Sequence, residues 1–486
     1  MCCCSDSGMG MAMCYSVEYG EVEVQRASIE QSHFFIEKLH DLVCFIQSYS
    51  YLHENVNIRS EHSETQQMEQ KNEFEEKLRG GSQVWKVLPV GQFFGKNQWL
   101  RYLSTLSSAQ LNVFPFEEPS SECPESLRKF LTESRHCSLL SNNAERYRFE
   151  EVCSWKEEKR EKMNIPISAK KQHELQRLAQ LITSHCYLHR VNRIVDVGCG
   201  LGHLLNLLSS KFDVVGIECD EVLCSAGSKK YASVKYENLT LNAVSVDQRR
   251  VLNIFCGAKG ERSAIVSLHG CGDLQPDLLR WFTQLPKDRV PLLFTVACCY
   301  HKMSCAGKPV IELAMSNSLR SLCRNHWILK KSSMRLACQE QLSRWPCSKE
   351  KRELHAISFL QRALLECVYE RIGIGKSKRC PRRLNRSFRE LKNVGVEIAE
   401  RLGLDDRKRA QIIDEYERVY SDYQHLFNIV EPFTLLQALM QMPLESLILV
   451  DRYLYLVESG CLTCVVPVFD SKVSPRNFCL VSFQDC

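Results

Sequence analysis

The chain has 486 residues, is 44% hydrophobic and 25% charged, and carries a formal net charge of +5. That composition excludes a chain dominated by disorder and gives enough length for two or three packed units. No stretch reaches the roughly 18 uninterrupted apolar residues of a membrane span, and the start lacks the basic-then-apolar pattern of a secretory signal; no transmembrane segment and a cytoplasmic or nuclear location are expected.

Residues 1–24 show little periodicity and read as a flexible tail. Cys2-Cys3-Cys4 offers thiols for acylation, but Cys2 stands where myristoylation needs glycine and no polybasic patch adjoins it. Over 29–52, Phe34, Phe35, Ile36, Leu39, Leu42, Val43, Phe45 and Ile46 recur at near-helical spacing. Residues 54–78 are polar and charged, a solvated helix or a linker. The pattern over 84–106 is helical, and Pro115, Pro119 and Pro124 punctuate the approach to a further segment at 125–131. Together, 25–150 is expected to be a helical accessory domain. Ser168, after Pro166, is placed to cap a helix through 186 that carries Leu175, Leu178, Ala179 and Ile182 at helical steps.

A buried strand at 193–197 then breaks on Gly198, Gly200 and Gly202 and enters a helix near 202. Beyond it come an apolar run at 214–218 closed by Glu218, a helix at 221–231, an ambiguous stretch to 250, a strand at 264–268, a helix at 276–285 and a strand at 291–297. This alternation predicts a mostly parallel sheet. Two apolar runs of β type, 461–469 and 478–483, read as a C-terminal hairpin that completes the sheet together with a helix at 435–458. Residues 165–305 are thus the first part of the core, 306–430 a basic, mostly helical insertion, and 431–486 the last helix and hairpin of the core. The 26 cysteines are irregularly spaced and many lie in apolar segments, so most read as reduced core residues. Cys461-x-x-Cys464 lies in an apolar strand with no second pair at metal-site spacing, and no metal ligand set is expected.

The glycine run carries the chemistry. Its spacing is G-x-G-x-G, whereas a dinucleotide loop would be G-x-G-x-x-G with helix-terminal amides turned on a pyrophosphate. A donor without phosphates, S-adenosyl-L-methionine, needs a loop that seats an amino acid and a ribose. Asp196 at the strand end suits the cationic part, and Glu218, 22 positions on, can accept both ribose hydroxyls. With a strand before and a helix after, that cofactor is expected ahead of an ordinary turn or a nicotinamide site. The expected fold class is α/β, a class I methyltransferase (Rossmann-like) sheet with a C-terminal antiparallel hairpin, plus an N-terminal helical domain and a helical insertion.

Further motifs extend over 120–486: Pro124-Glu125-Ser126-Leu127, Lys170-Lys171-Gln172-His173-Glu174, Asp196 through Leu204, Leu268-His269-Gly270-Cys271-Gly272-Asp273-Leu274, Cys298-Cys299-Tyr300-His301, Arg335-Leu336-Ala337-Cys338, Phe469-Asp470 and Ser474-Pro475-Arg476-Asn477. In these residues the chain resembles the methyltransferase-like protein 25 family, which includes a paralogue described as containing a ribosomal RNA adenine dimethylase domain. The resemblance implies a class I methyltransferase fold. Ala297 stands where the family often has glycine.

Ligands of open parallel sheets sit beyond the carboxyl ends of the strands, so His269, Asp273, Cys298, Cys299, Tyr300 and His301 are the candidates for the catalytic wall. Adenine-type enzymes usually offer Asn or Asp, two prolines and an aromatic after the fourth strand, and His269 to Asp273 is unlike that. Cys271 with Cys298 or Cys299 falls where cytosine-5 RNA methyltransferases keep a thiolate nucleophile and its helper, although packing is the more ordinary role. His269 and His301 are candidate general bases or loop ties; Tyr300 would stack on a flat substrate or cap the cofactor pocket, and Asp273 would cap the following helix.

Between Arg371 and Lys392 lie nine basic residues and one acid. Lys376, Lys378, Arg379, Arg382 and Arg383 there would track RNA phosphates, or form a solvated connector or import patch. The expected function is a methyltransferase using S-adenosyl-L-methionine and acting on RNA. The alternatives are a protein acceptor, read through the N-terminal helical domain as a partner-binding element, and a catalytically silent scaffold of the same fold.

Overall fold

The computed structural model describes residues 8–53, 98–146, 167–241, 247–304, 314–323, 329–372 and 405–484, with 396 and 400. Its centre is one seven-stranded sheet: β1 (Arg193–Val197), β2 (Asp213–Glu218), β3 (Lys235–Asn238), β4 (Ser263–Gly270), β5 (Leu292–Ala297), β6 (Leu462–Pro467) and β7 (Phe478–Phe483). The strand order is β3-β2-β1-β4-β5-β7-β6. β1 to β5 run parallel, with Val195 opposite Val215 and Ile265, and β7 is antiparallel to both β5 and β6. This is the class I methyltransferase arrangement, and its order reverses between β1 and β4, where such sheets open a ligand crevice.

The strands form where side chains are apolar on both faces. All of β1 and β5 is buried, because helices cover the sheet on either side. Ile194, Val214, Ala264, Val266, Phe294, Val296, Val466 and Val481 join Leu175, Leu178 and Ile182 in one core. Those three leucine and isoleucine side chains come from the helix Ala169–Leu188, which enters the core directly before β1.

The helices, in chain order, are α1 (Gly8–Ser48), α2 (Ser50–His53), α3 (Gln98–Thr105), α4 (Ser108–Val113), α5 (Glu125–His136), α6 (Leu139–Arg146), α7 (Ala169–Leu188), α8 (His203–Leu208), α9 (Glu221–Lys230), α10 (Gln248–Cys256), α11 (Leu274–Phe282), α12 (Asn317–Cys323), α13 (Lys331–Ala337), α14 (Lys349–Ile372), α15 (Asp406–Tyr423) and α16 (Phe427–Glu458). Their starts follow local chemistry: Ser168 caps α7 by accepting the Lys171 N–H at 3.3 Å, and Asp220 and Asp247 cap α9 and α10. Among the described residues of the ambiguous stretch before 250 lie β3 and the start of α10. The helix expected at 435 begins earlier, at Phe427.

Three expectations on organisation are corrected. The segment from Gly8 onward, read as part of a loose tail over 1–24, is helical and belongs to α1. The accessory domain 25–150 and the insertion 306–430 are not separate bodies of those bounds. Residues 1–48, 136–343 and 441–486 form the unit that contains the sheet, and 49–135 with 344–440 form a second, helical unit. Within that second unit Trp99 stacks on Phe130 at 5.2 Å, and α14 meets α15 through an Arg371–Glu415 pair at 2.6 Å. The expected linker 54–78 and the first half of the expected helix 84–106 lie outside the described residues.

Within the sheet unit, α1 covers the edge of β6. Gln31 accepts the Val465 N–H at 2.9 Å and donates to the Val465 carbonyl at 3.3 Å, while Ser28 Oγ accepts the Thr463 N–H at 3.0 Å. An open edge strand is a template for pairing with other chains, and this one is closed by side chains. Among the described residues, the stretch long and apolar enough to cross a membrane is Asp406–Glu458, and 89% of its most apolar window is buried inside the protein.

Candidate active site

The loop leaving β1 is stitched to β2: the N–H groups of Gly198 and Cys199 both donate to the Ile217 carbonyl, at 2.8 and 3.2 Å. Gly198, Gly200 and Gly202 have φ of 75°, 57° and 77°, a left-handed backbone that side chains disfavour. At Gly202 a Cβ would also collide with Tyr236 Oη, whereas at Gly200 it would meet nothing within 4 Å. The loop is therefore packed from below and open at its middle glycine. Tyr236 does the packing and donates to the Leu201 carbonyl at 2.9 Å. Sequence reading missed Tyr236 because β3 is only four residues long, too short to show alternation.

Glu218 closes β2. Its Oε2 accepts the Gly200 N–H at 2.9 Å and its Oε1 the Asp220 N–H at 3.1 Å, so the carboxylate is fixed against the loop with further lone pairs to spare. Asp196 is 3% exposed, and its Oδ1 is buried with no hydrogen-bond partner. Burial pushes its carboxyl up to about 7, Lys171 opposing and the Glu218 charge adding. The structure thus brings together all five expected cofactor residues. A buried unpartnered acceptor beside an unobstructed glycine fits a ligand that brings a cation and hydroxyls.

At the end of β4 the register shifts between Leu268 and Gly270, and His269 sits at φ 72°. A non-glycine residue rarely holds that conformation unless its surroundings impose it. Here Glu174, buried on α7, lies 3.2 Å from His269 Nε2, accepts Ser474 Oγ at 2.8 Å and has Lys170 Nζ at 3.7 Å. Burial works against the Glu174 charge, but His269, Ser474 and Lys170 outweigh it and bring the carboxyl down to about 2. The residue before Glu174, His173, accepts the Asp470 N–H on Nε2 at 3.0 Å. Four of the motifs singled out in the sequence therefore converge on one place. His269 Nε2 is committed to Glu174, which makes His269 a fixed piece of the wall; as a general base it would have only Nδ1 to offer.

Cys271, at the exit of β4, and Cys298 and Cys299, at the exit of β5, form a cluster. Cys271 Sγ is 2.9 Å from Cys298 Sγ, which is 3.5 Å from Cys299 Sγ. The two loops are tied by the Gly272 N–H donating to the Cys299 carbonyl at 3.2 Å. The Cys298 thiol bond draws the Cys271 thiol down to about 6, against burial and with help from Cys299, Lys302 and His269; the same bond pushes Cys298 up, and burial raises Cys299. No metal ligands were expected; Cys271 with Cys298 or Cys299 was read as a candidate nucleophile and helper, and the structure brings all three sulfurs into one group. Cys464 behaves as read: it lies in the sheet core, pushed up to about 12 by burial.

The remaining wall candidates divide. Tyr300 is 1% exposed, donates to Glu445 Oε1 at 3.0 Å, and has the Arg452 guanidinium 5.2 Å from its ring. Glu445 is paired with Arg476 at 2.6 Å, and Arg476 donates to the Ala337 and Gln339 carbonyls. Expected to stack on a flat substrate or cap the cofactor pocket, Tyr300 instead anchors the β5 loop in the interior, because its hydroxyl finds a buried carboxylate. Asp273 makes no side-chain cap to α11; it accepts the Ser304 N–H and hydroxyl, bracing the loop after β5. His301 keeps a buried Nδ1 without a partner, and burial with Arg335, Lys302 and Lys331 lowers its pKa. The basic residues Lys376, Lys378, Arg379, Arg382 and Arg383 lie outside the described residues. A separate groove of about 440 Å³, lined by Ser28, Ile29, Ile36 and Leu462, opens at the amino end of β6, the opposite strand end from this wall.

Residues 170–306 match a family described as "Methyltransferase domain". The Mus musculus protein described as "Probable methyltransferase-like protein 25" is 28% identical over 247 residues, 46% of this chain and 38% of that protein; the Homo sapiens protein of the same description is 25% identical over 242 residues, 46% and 37%. The chain thus spans less than half the length of these curated relatives. A TehB-like SAM-dependent methyltransferase from Corynebacterium glutamicum is 21% identical at a TM-score of 0.19, over 24% of this chain and 60% of that one.

Proposed function

We propose, for a chain related to methyltransferase-like protein 25 that holds a methyltransferase domain at 170–306, that it transfers a methyl group from S-adenosyl-L-methionine to RNA. The observation that carries the reading is the pair of carboxylates at the tips of β1 and β2, Asp196 with an unpartnered buried oxygen and Glu218 fixed by two amides, across a glycine bend open at Gly200. S-adenosyl-L-methionine, when bound, supplies an electrophilic methyl group on a sulfonium. Asp196 Oδ1 would accept from the donor's ammonium, and Glu218 would accept the ribose hydroxyls on its free lone pairs. Gly200 gives the close backbone approach.

On the acceptor side the wall is made by the exits of β4 and β5. His301, whose imidazole burial and three neighbouring cations hold toward the neutral form, would take the acceptor's proton. His269, clamped by Glu174, sets the position of the β4 loop. The support for RNA is the segment 371–392, nine basic residues and one acid, which would run along phosphates. The loop after β4 lacks the acid or amide, paired prolines and aromatic of adenine-type enzymes, so adenine N6 is not the favoured atom.

Calorimetry tests the donor: S-adenosyl-L-methionine is expected to bind, and Asp196→Ala or Glu218→Ala to weaken it at least tenfold, about 1.4 kcal/mol. A nicotinamide nucleotide binding in its place would overturn the reading. Radioactive donor supplied to cell extract tests the acceptor. Ribonuclease-sensitive label supports RNA, and label that survives ribonuclease but not protease points to a protein acceptor.

A further inference from the structure

Among the described residues, two groups of cysteines contrast. Cys186, Cys464 and Cys479 are sealed in the core, as small apolar side chains usually are. Cys271, Cys298 and Cys299 are only half-buried, sit on two loops at the carboxyl ends of β4 and β5, and hold all three sulfurs within 4.8 Å of one another. Packing does not require that. Backbone geometry enforces it instead: Gly272 turns at φ 60° so that its N–H reaches the Cys299 carbonyl, and a Cβ there would come within 2.9 Å of the Lys302 carbonyl oxygen. Asp273 ties the same turn to Ser304. The two loops are thus locked in the one arrangement that presents three thiols together.

We infer that Cys271, Cys298 and Cys299 bind one thiophilic divalent cation, with Zn²⁺ the ion their geometry fits best. Zinc bonds thiolate sulfur at about 2.3 Å, which in a tetrahedron places sulfurs about 3.8 Å apart. The present spacings of 2.9 and 3.5 Å fall short of that value by less than 1 Å and all three sulfurs lie inside 4.8 Å, so a small opening by side-chain rotation would admit an ion. The three thiols release their protons to solvent on binding. Three protein ligands leave the fourth position open, as in zinc sites that take a water or a substrate atom. That position faces the acceptor side of the sheet, because both strand exits border the crevice. The ion would belong to this chain's own wall, independent of whether the donor site is occupied.

The test uses the full chain, reduced and freed of metal, titrated with Co²⁺. One equivalent is expected to give thiolate charge-transfer and tetrahedral d–d absorption, bleached by one equivalent of Zn²⁺. Cys298→Ala and Cys271→Ala are expected each to weaken Co²⁺ binding at least tenfold, while Cys347→Ser, a half-buried cysteine elsewhere, leaves it unchanged. Near-ultraviolet dichroism reports whether each variant is folded. X-ray absorption on the zinc-loaded wild-type protein reads the site without any substitution and is expected to count three sulfurs at about 2.3 Å. Absence of the cobalt–thiolate band, its persistence in a folded Cys271→Ala, Cys298→Ala, Cys299→Ala variant, or a zinc shell of nitrogen and oxygen would overturn the assignment. Donor binding is measured separately, so loss of the metal site and loss of the methyltransferase reading are distinguishable results.

Discussion

Asp196 is an acid held out of water with one oxygen bonded to nothing in the protein. Its folded-state pKa of about 7 lies above the ordinary unfolded value near 3.9, so the folded state keeps the proton that the unfolded state has lost. Stability therefore falls as pH rises through that window, and the penalty is complete above about 7. Asp196→Asn is expected to melt higher than wild type, with a gain that grows from pH 5 to about pH 7, by roughly 1–2 °C for each kcal/mol. Donor binding should move the other way, weakened at least tenfold, because a neutral amide does not pair with an ammonium. Calorimetry and thermal scans on one preparation check both. At Gly202, Ala meets a left-handed backbone, costing about 1–2 kcal/mol, together with the Tyr236 hydroxyl. Gly202→Ala should lose stability and donor affinity, and Tyr236→Phe should restore part of the loss by removing the colliding atom.

At the scale of elements, Glu174 joins α7, the β4 exit and the loop before β7. Its folded pKa of about 2 is below the unfolded value near 4.3, so its stabilisation is present above about 4.3 and lost as pH falls toward 2. Urea unfolding should show Glu174→Gln weaker than wild type at pH 7, with the difference shrinking steadily by pH 3. Ser474→Ala, which removes one bond to a buried carboxylate, should cost about 1–3 kcal/mol in the same assay. The sequence motifs containing these residues were legible as motifs, but their meeting was not. Spacing along a chain shows periodicity within one element and says nothing of a partner 95 or 300 residues away. Tyr300 shows the same limit: a tyrosine at a strand end reads alike whether it faces substrate or a buried Glu445.

Across the whole molecule, the sheet unit depends on α1 to close its β6 edge. Gln31→Ala leaves the Val465 N–H and carbonyl buried without that amide. The expected result is a loss of about 1–3 kcal/mol and a rise in concentration-dependent light scattering, since an unpaired edge recruits other chains. If scattering and stability both match wild type, the edge is protected by other means. The division of the chain into a sheet unit and a helical unit follows the same logic. Residues 49–135 and 344–440 are far apart in sequence and share one body, so reading them in order gave an accessory domain and an insertion instead.

What the sequence by itself determined is the glycine bend and its two carboxylates, the proposed donor half of the protein. A strand, three glycines, a helix and an acid on the next strand are all encoded within 26 residues, 193–218, so the left-handed bend is readable from local backbone preference. The mostly parallel sheet followed from alternation, and its antiparallel end from a hairpin whose two strands are close neighbours in the chain; the strand order and β3 came from the structure. Only the tertiary structure decided the acceptor wall: the Glu174 clamp on His269, the withdrawal of Tyr300 and the three-thiol cluster. Each depends on side chains carried together by the packing of whole elements, and such contacts leave no period in the sequence.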